Sequence, residues 1–331
     1  MVGWAEAEEP ALPSPDAALV RPVAIATCDL DVAVLTGRFP LRGPYPFGHE
    51  GVIEVVETGS QVTGVGPGDL AVLPFQISCG TCRPCRRGHT GNCAAHPFMS
   101  MYGLGEIGGL EWGGFLADLI AVPHADAMLV KLPAGVDPVA VASASDNMPD
   151  GWRTVGPQLA ADPGAEVLVV GGDSGPCSIG LYAAGLAVAL GAARVTYLDQ
   201  DPGRLAIGAA LGAHVVDAAP PPKAGDFPIT VDASGSPEGL RCALNSTAPD
   251  GTCTSPSVYL TDQAIPLFSM YTRCCTLQTG RAHARPPIPL VLDLVAAGFN
   301  PTLVTSAVVP RSAAADALAR PPMKLVIDCT S

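Results

Sequence analysis

Four cysteines, Cys79, Cys82, Cys85 and Cys93, stand in the stretch CGTCRPCRRGHTGNC. Three are spaced by two residues and the fourth follows a short loop, so four thiolates can close a tetrahedral shell around one Zn²⁺. Such a shell has no open position for water or substrate. It is a structural site that holds a loop in place. A pair of disulfides is the competing reading, and both the spacing and the compartment inferred below disfavour it. Chemistry has to be sought elsewhere in the chain.

The 331 residues are enough for two domains and a sizeable core. Hydrophobic residues make up 48% and charged ones 15%, the balance of a globular chain rather than a disordered one. A net charge of −13 and a pI near 4.7 argue against a nucleic-acid partner, since phosphate binding needs a basic surface. The short basic run Arg83, Arg86, Arg87 reads as a solvated edge of the cysteine loop. The cysteines number 11, an odd count, and no charged-then-apolar leader precedes them, so the reducing cytoplasm is expected. The apolar run Gly180 to Ala193 is too short to span a bilayer and is expected to be a buried helix, with no membrane partner.

Two grammars divide the chain. The first ~140 residues read as short strands broken by turns, among them Ala18–Ala24, Gly51–Glu57 and Leu70–Leu73. From Glu166 strands and helices alternate: strand Glu166–Val170, a glycine loop, helix Ile179–Leu190, strand Arg194–Leu198, helix Gly203–Leu211 and strand His214–Val216. Strand Ile229–Ala233, helix Pro237–Leu244 and strand Gly251–Val258 continue the series. This alternation implies an α/β region with a doubly wound parallel sheet. Helix Pro289–Ala297 and strands Val304–Val309 and Lys324–Ile327 close the chain, and they are expected to return to the β-rich part.

A catalytic zinc needs three protein ligands and one open position. Cys28, in CDLD, and His49, in PFGHEG, are candidates. Taken singly, a lone cysteine is also a small buried hydrophobe and a lone histidine a satisfied core residue. In VLVVGGDSGPCSIG, the glycines Gly171, Gly172, Gly175 and Gly180 follow a strand and open a helix, the context of a dinucleotide-binding loop. Asp199 ends the next strand, where a carboxylate can hold both ribose hydroxyls of NAD and would repel the 2′-phosphate of NADP. NAD is therefore expected ahead of NADP.

In this order, the Cys28-Asp29-Leu30-Asp31 segment, Gly48-His49-Glu50, the four-cysteine lobe and the βαβ half resemble the zinc-dependent medium-chain dehydrogenase/reductase family, the alcohol dehydrogenases. The resemblance covers nearly the whole chain. It implies a β-rich GroES-like catalytic domain over residues 1–147 and 285–331 and a Rossmann NAD-binding domain over 148–284. It also implies two zinc ions per chain, a small-molecule substrate and a homo-oligomer, dimer or tetramer.

The third ligand of the catalytic zinc is implied to be Asp146, because Ser145-Asp146-Asn147-Met148-Pro149-Asp150-Gly151 resembles a segment of the formaldehyde-dehydrogenase-like branch. A helix N-cap is the other reading of Asp146, and Asp150 is expected at the surface. The resemblance assigns Asp31 to orienting His49 through its second ring nitrogen, Glu50 to a place behind the metal, and Arg204 to the adenosine ribose. A solvated helix charge is the other reading of Arg204. Phe98, Met99, Trp112, Met148 and Trp152 are apolar candidates for the substrate pocket.

Three departures from the family pattern stand out. Many members relay the alcohol proton through a hydroxyl residue and a histidine, at positions that here hold Leu30 and Ala33, neither of which can carry a proton. Ile53 stands where the family has glycine, although Gly51 is nearby. The amino terminus is short: the strand that family members normally place before the segment matching Trp4 to Pro10 is either absent or lies outside this sequence. The leading expectation is an NAD-dependent zinc alcohol dehydrogenase acting on a small or medium-sized alcohol or aldehyde. A reductase of a conjugated C=C or an imine and a non-catalytic zinc-stabilised binding protein are the alternatives.

Overall fold

The computed structural model describes residues 2–331. Its strands, in chain order, are β1 (Ala18–Ala26), β2 (Glu50–Thr58), β3 (Leu70–Val72), β4 (Ile120–Val122), β5 (Val130–Lys131), β6 (Val167–Val170) and β7 (Val195–Asp199). The remainder are β8 (His214–Asp217), β9 (Phe227–Asp232), β10 (Thr247–Ser255), β11 (Thr276–Thr279), β12 (Ala307–Pro310) and β13 (Leu325–Asp328). The chain forms two compact units: Met1–Pro149 with Ala282–Ala296 and Thr305–Ser331, and Asp150–Arg281 with Ala297–Val304.

The first unit is built on a sheet ordered β12-β13-β1-β2-β3-β5, with β4 also on β1. β1 runs antiparallel to β2, β4 and β13. Pro22 lies inside β1, and the β1–β2 register slips between Pro22 and Ala24, a bulge at which the missing proline N–H is tolerated. Val20, Ile25, Ile53, Val55, Leu73 and Phe115 pack the core beneath. The β1–β13 pairing has a consequence for the site. It sets the end of β1, and the Thr27–Cys28 segment that follows, beside Lys324 just before β13.

In the second unit six parallel strands are ordered β11-β10-β9-β6-β7-β8. Read from β8 this is the 3-2-1-4-5-6 order of a doubly wound sheet, and the winding reverses between β6 and β9. Helices Pro202–Ala210 and Pro237–Ser246 each start with proline in the first turn. They are capped by Asp201 and Ser236, whose side chains accept from backbone N–H groups. Helix Cys177–Ala189 is buried almost all round, as expected for its apolar run. Among the described residues no helix is long and apolar enough to cross a membrane.

Some elements differ from the sequence reading. The strand expected over 304–309 starts only at Ala307, because Pro301–Val304 forms a 3₁₀ turn. β10 begins earlier, at Thr247, and its pairing with β9 slips before Thr252, where Asp250 takes a positive φ of 60°. Helices Asp29–Leu35 and Leu267–Arg273 and strand β11 were not anticipated.

Candidate metal centres and dinucleotide site

The segment between β1 and β2 builds one site. Cys28 takes an extended backbone and caps the helix Asp29–Leu35, with its sulfur 3.5 Å from the N–H of Leu30. Asp31, one turn into the helix, accepts from the Cys28 N–H at 2.9 Å through Oδ2. Its Oδ1 lies 3.3 Å from Nδ1 of His49. One carboxylate thus accepts from the Cys28 backbone and faces the His49 ring. The other ring nitrogen, Nε2, lies 3.4 Å from Oδ2 of Asp146. Donor atoms of Cys28, His49 and Asp146 all lie within 4.8 Å of one another, and all three residues are buried.

Electrostatics make this pocket demand a cation. Burial, then the carboxylate of Asp146, pushes the Cys28 thiol well above its ordinary pKa. Burial alone would lower His49, but the charges of Asp31 and Asp146 outweigh it and hold the imidazole up at about 10. Asp31, Glu50 and Asp146 are three buried carboxylates beside the Cys28 thiol, and without a metal two positive side chains, Lys324 and the protonated His49, face them. Cysteine, histidine and carboxylate around one point form a donor set suited to a borderline-soft divalent ion such as zinc, whose charge would relieve the excess.

Glu50 does not point loosely behind this cluster. Lys324 Nζ donates to its Oε2 at 2.6 Å and to the Thr27 carbonyl at 2.7 Å, and the Asn147 N–H donates to its Oε1 at 2.8 Å. Burial pushes the Glu50 carboxyl up to about 7, against the pull of Lys324. Lys324 went unnoticed in the sequence, and a lone lysine heading the apolar strand MKLVID was the available signal. Replacing Lys324 with Met leaves a buried carboxylate unpaired and is expected to cost about 3–5 kcal/mol in urea unfolding. A loss below about 1 kcal/mol would contradict the pairing.

Gly51 answers the departure at Ile53. A side chain there would meet the Ala24 carbonyl at 2.5 Å, while the Gly51 N–H donates to Ser145 Oγ at 2.7 Å, tying β2 to the Asp146 segment. Leu30 and Ala33 lie on the helix Asp29–Leu35, and Leu30 packs against Phe75, Met101 and Leu104. Asp150 departs from expectation: it is buried and ion-paired with Arg153. The pocket candidates scatter, with Phe98 78% exposed and Met148 fully buried.

The second cluster is Cys79, Cys82, Cys85 and Cys93, whose sulfurs lie within 4.8 Å of one another. No disulfide joins them, and the Cys82 and Cys93 sulfurs are 3.9 Å apart. Backbone N–H groups point at the sulfurs: Cys82 to Cys79 at 3.3 Å, Cys79 to Cys93 at 3.4 Å and Ala94 to Cys82 at 3.4 Å. Burial works against the Cys79 thiolate, but the Thr81 hydroxyl and the Cys82 N–H prevail and bring its pKa down to about 6. Donors converge on three of the sulfurs and favour the thiolate at Cys79 and Cys82, whereas burial raises Cys85 and Cys93, whose deprotonation a bound metal would have to drive.

In the second unit the glycine loop leaves β6 at the point where the winding reverses. Gly175 is where only hydrogen fits, since a Cβ would stand 2.0 Å from the Ala233 carbonyl. Gly172 and Gly180 also face the Ala233–Ser234 segment, and Gly171 lies against the Asp199 carboxylate. The glycines thereby bring the start of helix Cys177–Ala189 close to the end of β9, as a dinucleotide loop requires. Asp199 is buried at the end of β7 and Arg204 closes on it with both Nε, at 2.8 Å, and Nη2, at 2.7 Å. Burial alone would raise Asp199, but Arg204 and the Asp201 N–H hold it below the ordinary carboxylate range. The glycine loop fits the pyrophosphate of a dinucleotide, and Asp199 stands at the strand end where such folds bind the ribose, its oxygens here engaged by Arg204.

Comparison with known proteins follows the same lines. Residues 14–134 match the sequence profile described as the alcohol dehydrogenase GroES-like domain. A probable zinc-binding alcohol dehydrogenase of Mycobacterium tuberculosis is 31% identical over 300 residues, covering 88% of this chain and 74% of that protein. The chain belongs to the zinc-binding alcohol dehydrogenase family. Within it, a glutathione-independent formaldehyde dehydrogenase of Pseudomonas aeruginosa is 36% identical over 209 residues, covering 60% of this chain and 50% of that enzyme. The chain thus spans about three quarters of the mycobacterial relative and half of the formaldehyde dehydrogenase. An alcohol dehydrogenase structure from Thermus sp. ATN1 superposes with a TM-score of 0.84 at 28% identity, covering 98% of this chain and 95% of that one. The fold is that of the family: a GroES-like domain and a Rossmann-type parallel sheet, in a zinc-type oxidoreductase scaffold.

Proposed function

We propose that this chain is an NAD-linked, zinc-dependent dehydrogenase of a small or medium-sized alcohol or aldehyde, with residues 1–147 and 285–331 as its catalytic domain and 148–284 as its cofactor domain. The observation that carries this reading is the buried convergence of Cys28, His49 and Asp146, with Asp31 tied to two of them. Those three side chains would hold the catalytic ion, and Cys79, Cys82, Cys85 and Cys93 a structural one. Asp146 as third ligand, as in the formaldehyde-dehydrogenase-like branch, is supported by the distance between its carboxylate and His49 and by the Pseudomonas relative.

A zinc held there supplies Lewis acidity toward a carbonyl or alcohol oxygen, and a bound nicotinamide dinucleotide gives or takes the hydride. The remaining work falls to the chain. Asp31 accepts from the Cys28 N–H and faces Nδ1 of His49, so ligand and ring keep one orientation. Lys324 and the Asn147 N–H hold Glu50 on both its oxygens. The glycine loop and Asp199 receive pyrophosphate and ribose, and Asp199 favours NAD over NADP.

Helix Asp29–Leu35 offers no proton carrier at Leu30 or Ala33, so proton loss from an alcohol is expected to limit oxidation. Leu30→Ser should raise alcohol oxidation about tenfold in kcat, a fraction of what a full relay supplies. An unchanged kcat would show that the missing hydroxyl does not limit the reaction. A second copy as partner is supported by exposed Val258, Leu260, Leu267, Phe268 and Tyr271 in the second unit.

The decisive assay is a screen of alcohols, aldehydes and enals with NAD(H) and NADP(H). Alcohol-dependent NADH formation is expected. Reduction of enals with no turnover of any alcohol or aldehyde would overturn the reading.

A further inference from the structure

The Asp199 carboxylate is full. Its Oδ1 accepts from the N–H of Gln200 at 2.7 Å, the N–H of Asp201 at 3.0 Å and Nη2 of Arg204 at 2.7 Å. Its Oδ2 accepts from the Tyr197 hydroxyl and from Nε of Arg204, both at 2.8 Å. A carboxylate offers about four lone-pair sites, and here five donors share them. Two ribose hydroxyls cannot be added unless a donor withdraws. The two N–H groups belong to the backbone that follows β7, and Tyr197 is fully buried in that strand. Arg204 is the donor on a flexible stem.

Arg204 also has a second partner. Its Nη2 lies 2.7 Å from Oδ1 of Asp173, which stands in the glycine loop with 88% of its side chain exposed. Without such a partner, an arginine released beside the ribose is well placed to take the 2′-phosphate of NADP. With Asp173 beside it, the guanidinium has a carboxylate to rest on when it leaves Asp199. Two carboxylates against one guanidinium also leave this corner with a net negative charge, which repels a further phosphate.

We propose that Asp173 is a specificity-determining residue. It holds Arg204 as the ribose seats on Asp199, and so keeps the guanidinium from serving the 2′-phosphate of NADP. This rests on the reading of the second unit as the dinucleotide site. Asp173 acts on the cofactor through Arg204, so it is a positioning residue, and its removal alters selectivity rather than binding as a whole.

The test is titration of the full-length protein with NADH and NADPH, followed by nicotinamide fluorescence, for the natural chain, Asp173→Asn and Asp173→Glu. The natural chain is expected to bind NADH more tightly than NADPH. Asp173→Asn should tighten NADPH about tenfold while moving NADH by less than threefold. The ion pair is exposed, so the gain should shrink as salt is raised. Asp173→Glu should restore the natural ratio. An unchanged NADPH-to-NADH ratio in Asp173→Asn overturns the proposal, as does a natural chain that prefers NADPH. A natural chain that binds neither dinucleotide defeats the reading of the site itself, a separate outcome from a failure of Asp173.

Discussion

Replacing His49 with Ala is expected to lower kcat/KM by at least about 10³-fold, ~4 kcal/mol of transition-state stabilisation. It should also remove one zinc per chain. His49 stands between two carboxylates, with Nε2 3.4 Å from Asp146 and Nδ1 3.3 Å from Asp31. Without it, Cys28 and Asp146 are two donors where a catalytic zinc takes three. The fold should survive, because His49 precedes β2 and the β1–β2 ladder starts at Glu50. Circular dichroism separates loss of metal from loss of structure. Activity within tenfold of the natural chain would mean that the metal, if present, is held elsewhere.

The opposite pattern is expected of Cys85→Ser. It breaks the closed four-sulfur set, whose metal stabilises folding outright in small domains by roughly 10–16 kcal/mol of binding free energy. Here the loop is also anchored by the rest of its unit: the Gly91 N–H donates to Nδ1 of His283 at 3.1 Å, and Gln76, just before the loop, donates to the Ala282 carbonyl at 2.7 Å. Part of the metal's contribution is thus shared with protein contacts. A fall in Tm on the order of 10 °C is expected, equivalent to about 3–5 kcal/mol for a unit of this size. Hydrogen exchange should quicken in residues 79–97 ahead of the sheet. A Tm within 2 °C of the natural chain, by differential scanning calorimetry, would show that the cysteines do not hold the loop through a metal.

These two variants probe what could be read along the chain to different degrees. The four cysteines lie within one short loop, so spacing alone carries their geometry. Cys28, His49 and Asp146 are far apart in sequence, and each residue by itself is ambiguous, so their grouping rested on resemblance to a family. Contacts that depend on sheet register were out of reach. Lys324 meets Glu50 only because β13 pairs with β1, a contact across 274 residues. The resemblance assigned Asp31 to His49, but its bond from the Cys28 N–H was likewise hidden. The helix Asp29–Leu35 was not foreseen, because cysteine is an unusual N-cap and CDLDVAVL carries no strong start signal.

In the second unit the alternation of strands and helices was legible where the strands are buried and largely apolar, as in β6, β7 and β9, and not at β11, whose TLQT is polar and mostly exposed. The true start of β10 was not, because its slip depends on Asp250 and on the partner strand. The saturation of Asp199 was also invisible. An aspartate at the end of a strand announces ribose recognition, yet its five donors come from backbone geometry and from Tyr197 and Arg204.

Zinc per chain, measured by inductively coupled plasma mass spectrometry on the natural protein, His49→Ala and Cys85→Ser, bears most directly on the two metal centres. Two ions are expected in the natural chain and one in each variant, with activity lost in His49→Ala and stability lost in Cys85→Ser. A natural chain holding a single zinc that His49→Ala leaves in place would contradict a catalytic metal at Cys28, His49 and Asp146.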